Sequence, residues 1–172
     1  MPPSGSTPRP ALPGAERPLT PGERAIATRV FGAAIDFDRV TVRHAKWFAL
    51  QPAWIVMAPD GHIWFHPNGG LWRSDFAAPQ ALDLRALLVH ELVHVWQHQH
   101  GIRLPLQRPP LPRYAYTLKP GKRFGAYGLE QQACIVEDAY RLSEGGAAPA
   151  AAASYAAVWP FVTPCPPLPL PR

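Results

Sequence analysis

The run His90-Glu91-Leu92-Val93-His94 carries the strongest chemical signal in this sequence of 172 residues. On an α-helix, two histidines four positions apart lie about 40° apart around the axis and one turn along it, so both imidazoles can face one ion. Neutral imidazole nitrogen is a good zinc ligand at about 2.0–2.1 Å. Glu91 directly follows the first histidine, where its carboxylate can reach a water beside the ion without ligating the ion itself. An ion, a polarised water and an adjacent base are the components of metal-assisted peptide hydrolysis. The motif also sits in the most apolar helical stretch of the chain. A histidine or glutamate left without a partner there would be costly.

A third protein ligand is required. His98 repeats the four-residue spacing but stands about 12 Å along a straight helix from His90. His100, six residues after His94, has the spacing used by metzincins. Those enzymes break the helix with a glycine three residues after the second histidine and place a methionine-containing turn later. Here that position is Gln97, and Met1 and Met57 both precede the motif. A carboxylate from a later helix remains, and Glu130 in Tyr127-Gly128-Leu129-Glu130-Gln131-Gln132-Ala133-Cys134 is the preferred ligand. Glu137 and Asp138 are the alternatives. Glu130 and Glu137 cannot share one ion, because seven residues of helix span about 10 Å. Asp138 also suits a supporting role, since a ligating histidine usually donates its other N–H to a carboxylate or carbonyl. Stabilising a developing oxyanion needs a further donor, sought among Tyr127, Tyr116, Tyr140 and His66. Tyr127 is preferred for its nearness to Glu130. His44, His62 and His66 read as strand and hairpin residues rather than ligands, and Cys134 is not needed as a nucleophile.

The elements that must position these groups follow from local signals. Thr20-Pro21-Gly22-Glu23 forms a capping box with proline at the first helical position, predicting a helix that stops near Gly32. Residues 37–44 alternate apolar and polar like a half-buried strand. Residues 53–58 and 62–66 flank Pro59-Asp60-Gly61, a hairpin signal. A helix is expected from about Pro79 to His100, with Gly101 as its stop, and a second from about Tyr127 to Leu142. Residues 102–126 join them through five prolines and the six basic residues Arg103, Arg108, Arg113, Lys119, Lys122 and Arg123. The reading is a disordered proline-rich leader over 1–19, a domain over 20–143, and an Ala/Pro-rich tail over 144–172. Tyr155, Val158, Trp159 and Phe161 are the tail residues able to dock on the domain.

Composition bounds the function. Hydrophobic residues make up 47% and charged residues 17%, which excludes a wholly disordered chain, a coiled coil and a collagen. Seven of the 23 prolines lie in residues 1–21 and six in 160–172, so the middle is the globular part. A net charge of +5 comes without a stacking platform or binding motif, so nucleic acid is not the expected partner. Two cysteines make no disulfide framework. No apolar run is long enough to span a membrane and no signal-peptide core opens the chain. The expected location is the cytoplasm, or outside it by export without a cleaved signal.

The sequence His90-Glu91-Leu92-Val93-His94 followed by Glu130-Gln131-Gln132-Ala133 resembles the gluzincin side of the zincin metallopeptidases. With Leu19-Thr20-Pro21-Gly22-Glu23 and the aromatic hairpin, residues 19–142 are similar to small bacterial Vgr-related proteins. They are similar also to the metallopeptidase-like domain attached to contractile injection and type VI secretion systems. The resemblance implies an α+β zincin-like domain, a short antiparallel sheet with an active-site helix and a second ligand-bearing helix. It implies zinc held by His90, His94 and Glu130, with Glu91 as general base. Many gluzincins carry an aspartate four residues after the ligand glutamate, where this chain has Cys134. Two functions are thus expected. The first is a zinc metallopeptidase linked to a bacterial secretion system, acting on a peptide or protein, with acidic peptides favoured by the basic connection. The alternative is a non-catalytic, zinc-stabilised accessory module that binds a partner of such a system.

Overall fold

A computed structural model describes residues 14–78, 82–107, 109 and 111–165. In chain order these form strand β1 (Glu16–Pro18), helix α1 (Pro21–Phe31), strands β2 (Thr41–Arg43), β3 (Val56–Met57) and β4 (Ile63–Phe65), and helices α2 (Leu82–Gln99), α3 (Leu104–Gln107), α4 (Leu129–Ser143) and α5 (Ala152–Ala156). The architecture is α+β, as expected.

Helix α1 begins where its capping box places it. Thr20 Oγ1 accepts from the Glu23 amide at 3.1 Å, and Glu23 accepts from the Thr20 amide at 2.8 Å. Glu23 does more than cap. Fully buried, it takes two hydrogen bonds from the Arg17 guanidinium (2.7 and 2.8 Å) and one from the Phe76 amide (2.8 Å). One carboxylate therefore joins the start of α1 to the segment before it and to the segment leading toward α2.

Ordered structure accordingly begins before Thr20, and the expected leader over 1–19 is too long. Residues 16–18 pair antiparallel with β2 at the edge of the sheet. Pro18 is tolerated there because an edge strand needs hydrogen bonds on one side only. The expectation for residues 1–13 lies outside the described residues.

The sheet order is β1-β2-β4-β3. The hairpin is present as β3 antiparallel to β4, with Val56 opposite Phe65. Gly61 takes φ 86°, and a Cβ there would meet the His98 ring at 2.9 Å. The turn thus approaches the exposed His98 ring at the end of α2 too closely for a side chain at position 61. One pairing departs from the antiparallel expectation: β2 and β4 run parallel, Val42 opposite Ile63. Residues 44–62, which contain β3, carry the chain back so that β4 enters in the direction of β2. The expected strand over 37–44 is shorter, because Asp36 caps a 3₁₀ turn at Phe37–Arg39.

Helix α2 is the central element. Ala86, Leu88, Val89, Leu92, Val93 and Val95 are each 0% exposed, although they point to different sides of the helix. A helix apolar all round must be covered all round. The expected start near Pro79 lies outside the described residues. Helix α4 packs against α2 in antiparallel sense, with contacts running from Arg85–Tyr140 through His90–Glu137 to Gln97–Leu129. This pairing sets the site.

The tail boundary at residue 144 also moves. Tyr155 of α5 is fully buried, and its hydroxyl lies 2.8 Å from that of Tyr116. Phe161 packs edge-on against Phe31 and Trp96, at 4.9 and 5.5 Å between ring centroids. Thr163 donates to the Val30 carbonyl at 2.7 Å. Aromatic burial thus holds residues up to 163 on the domain despite their low-complexity composition. Phe161→Ala is expected to cost about 3–5 kcal/mol in urea unfolding. An unchanged midpoint would contradict the docking of this segment.

Candidate metal centre

The antiparallel register of α2 and α4 brings His90, His94 and Glu130 together. His90 Nε2 and His94 Nε2 lie 3.4 and 3.3 Å from Glu130 Oε2, and the three donor atoms are all within 4.8 Å of one another. All three residues are buried. The sequence-predicted ligand set therefore converges on one point, with Glu130 in place and neither Glu137 nor Asp138 in its position.

The other imidazole nitrogens are also engaged. Glu137 Oε2 lies 2.9 Å from His90 Nδ1, and Gln97 Oε1 lies 2.8 Å from His94 Nδ1. These acceptors place the proton on Nδ1 of each ring and turn the Nε2 lone pairs toward Glu130. Gln97 is held in turn by donating to the Leu129 carbonyl (3.1 Å) and to Gln132 Oε1 (3.0 Å). Arg141 donates to Glu137 Oε1 at 2.8 Å and leaves Oε2 for the histidine.

The supporting role expected of Asp138 thus falls to Glu137. Asp138 instead accepts from the Tyr116 hydroxyl at 2.6 Å, because the next position on a helix is turned about 100° away. Gln97 and Glu137 were not read as supporting residues from the sequence. Their signals were local: Gln97 is one turn after His94, and Glu137 is two turns after Glu130 on the same face of α4.

Two imidazole nitrogens and a carboxylate oxygen within 4.8 Å of one another suit a cation held between them, so the donor set fits a divalent metal. The ionisation behaviour agrees. Burial by itself lowers the His90 pKa, yet hydrogen bonds to Cys134, Glu130 and Glu137 and the charge of Glu91 carry it well above the ordinary histidine value. Burial likewise raises the Glu137 carboxyl, but His90 and Arg141 outweigh that and hold it below its usual range.

A cleft of about 670 Å³ opens over these donors. Its floor includes His90, Glu91, His94 and Glu130, with Cys134 and Glu137 beside them. One wall is Trp47, Trp54 and Val56 of the 47–59 segment, and the other is Leu104, Pro105 and Tyr114. Glu91 is buried at the cleft and is not one of the three converging donors.

Tyr127 is not in the cleft, contrary to expectation. The 3₁₀ turn Phe124–Ala126 directs its ring onto the preceding connection. There its hydroxyl accepts from the Lys119 amide at 3.1 Å, and the Lys122 ammonium lies 3.9 Å from the ring centroid. Tyr116, Tyr140 and His66 also lie outside the cleft lining, and Tyr114 is the tyrosine within it. Lys119, Lys122 and Arg123 line a separate depression beside Ala153 and Val158. These three basic residues of the connection therefore lie outside the cleft lining. No helix among the described residues is long and apolar enough to cross a membrane.

No family model matches the chain. Over 133 residues it is 40% identical to the type VI secretion system spike protein VgrG2b of Pseudomonas aeruginosa, a match covering 72% of this chain and 13% of that protein. The chain thus spans only a small part of its curated relative. It also superposes on the solved effector domain of Pseudomonas aeruginosa VgrG2b with a TM-score of 0.68 and 34% identity, covering 82% of this chain and 80% of that one. The chain belongs to the family of the VgrG2b effector domain.

Proposed function

We propose that this chain is a zinc-dependent peptidase that serves as an effector domain of a type VI secretion system. The observation that carries the reading is the convergence of His90, His94 and Glu130 at the floor of a cleft that also contains buried Glu91. Two imidazoles and one carboxylate are a donor set used by catalytic zinc, which keeps a fourth position open for water or substrate. A zinc ion held by His90, His94 and Glu130 would supply Lewis acidity toward a carbonyl oxygen and a water.

The protein's own groups do the rest. Glu91 accepts a proton from the attacking water and delivers it to the leaving amine. Glu137 and Gln97 keep the two imidazoles in the tautomer that ligates. Tyr114, the tyrosine of the cleft lining, is the candidate donor to the developing oxyanion. Trp47, Trp54 and Leu104 give the walls an apolar character, favouring a substrate segment with large apolar side chains.

The supporting residues have a measurable part in this account. Gln97→Leu deprives the His94 Nδ1–H of its acceptor, and zinc affinity is expected to fall about 10–100-fold in chelator competition. An unchanged affinity would remove Gln97 from the metal's support. The peptidase reading is tested by digestion of a peptide library with the zinc-loaded protein. Cleavage that a chelator abolishes and added zinc restores is expected. A zinc-loaded protein that cleaves nothing would favour the non-catalytic accessory module instead.

A further inference from the structure

Helix α4 presents more than one metal donor to α2. Cys134 lies one turn after Glu130 and three residues before Glu137, so the three side chains form a stripe along the face that meets His90. Beside the set already described, His90, Cys134 and Glu137 each offer a donor atom within 4.8 Å of the others. Cys134 and Glu137 are half-buried and both line the cleft, so an ion entering it can reach them. Cys134 is a free thiol. The Arg141 guanidinium occupies Glu137 Oε1 but leaves Oε2 directed at His90 Nδ1, 2.9 Å away.

We propose that His90, Cys134 and Glu137 form a second metal position, selective for thiophilic cations such as cadmium, whose occupancy excludes a metal from the His90–His94–Glu130 position. A sulfur, nitrogen and oxygen set is softer than two imidazoles and a carboxylate, and thiolate ligands favour softer ions. Metal binding drives off the thiol proton, as it does for other coordinating cysteines.

The exclusion follows from the single shared histidine. A neutral imidazole has one nitrogen lone pair, and the other nitrogen carries a proton. If the second position uses Nδ1, the proton moves to Nε2 and His90 is lost to the first position. If it uses Nε2, the loss is direct. Either way the first position keeps only His94 and Glu130. A thiophilic ion at the second position would therefore empty the first. This competition is the part of the inference that rests on the proposed zinc site; the thiol-containing position does not require it.

The test is a cadmium titration of the metal-free full chain, read by the ultraviolet cadmium–thiolate charge-transfer band. The band is expected to appear and saturate at one equivalent. It should be lost in Cys134→Ser and kept in Cys165→Ser. In zinc-loaded protein, elemental analysis should show zinc leaving as the band grows. No band in the wild-type chain, or a band that survives Cys134→Ser, would overturn the second position. Cadmium and zinc bound together on one chain would overturn the exclusion. A chain that gains the band but never takes up zinc would leave the second position standing while the proposed zinc site failed.

Discussion

Glu91→Gln is expected to lower the turnover number for peptide cleavage by about 10²–10⁴-fold, or roughly 3–5 kcal/mol of transition-state stabilisation, without loss of zinc. The expected effect is chemical rather than steric. Glutamine has the size and shape of glutamate, so the buried floor of the cleft keeps its packing, but its amide cannot take a proton from an attacking water. The three converging donors, His90, His94 and Glu130, are untouched. A general base lost from a site that still binds its metal should reduce the turnover number and leave KM nearly unchanged. Zinc content and turnover measured on the same preparation separate the two effects. Full activity in Glu91→Gln with zinc bound would contradict the assignment of Glu91.

His94→Ala should act one step earlier. It removes one of the three donors and leaves Gln97 Oε1 buried without the ring nitrogen that lay 2.8 Å away. The unfilled acceptor alone costs about 1–3 kcal/mol. Metal linkage is the larger effect. A ligand that binds only the folded chain at a thousandfold excess over its Kd stabilises it by about 4 kcal/mol, or roughly 8–16 °C in Tm for a domain of this size. Wild-type protein should show such a shift on adding zinc, and His94→Ala should show almost none. An equal zinc-dependent shift in both proteins would place the metal elsewhere.

What could be read from the sequence depended on the distance over which each signal acts. The α1 capping box, the Asp60-Gly61 turn and the paired histidines on α2 are fixed by neighbours within one helical turn or one hairpin, and all three stand where expected. Glu130 was reachable because α4 opens with it and few carboxylates remained after spacing had excluded the other histidines. The supporting shell was harder. Once Glu130 faces α2, spacing turns Glu137 to the same side and Asp138 about 100° away, so this shell becomes legible only after Glu130 is placed against His90. Tyr127 illustrates the opposite error. It is three residues from Glu130, yet the 3₁₀ turn before it sends its hydroxyl to the Lys119 amide, while Tyr114, more distant from Glu130 in sequence, lines the cleft. Composition hid the N-terminal strand, whereas the tail docks through Tyr155 and Phe161, which the sequence singles out. Proline at position 18 suits a sheet edge, and an alanine-rich segment carries Tyr155 into the core.

The point shared by His90, His94 and Glu130 is expected to hold one zinc ion. Elemental mass spectrometry of untagged protein, purified without added metal, tests it directly. About one zinc per chain, lost in His94→Ala, is the predicted result. A chain that carries no zinc and takes up none on titration would contradict the account and remove the peptidase reading with it.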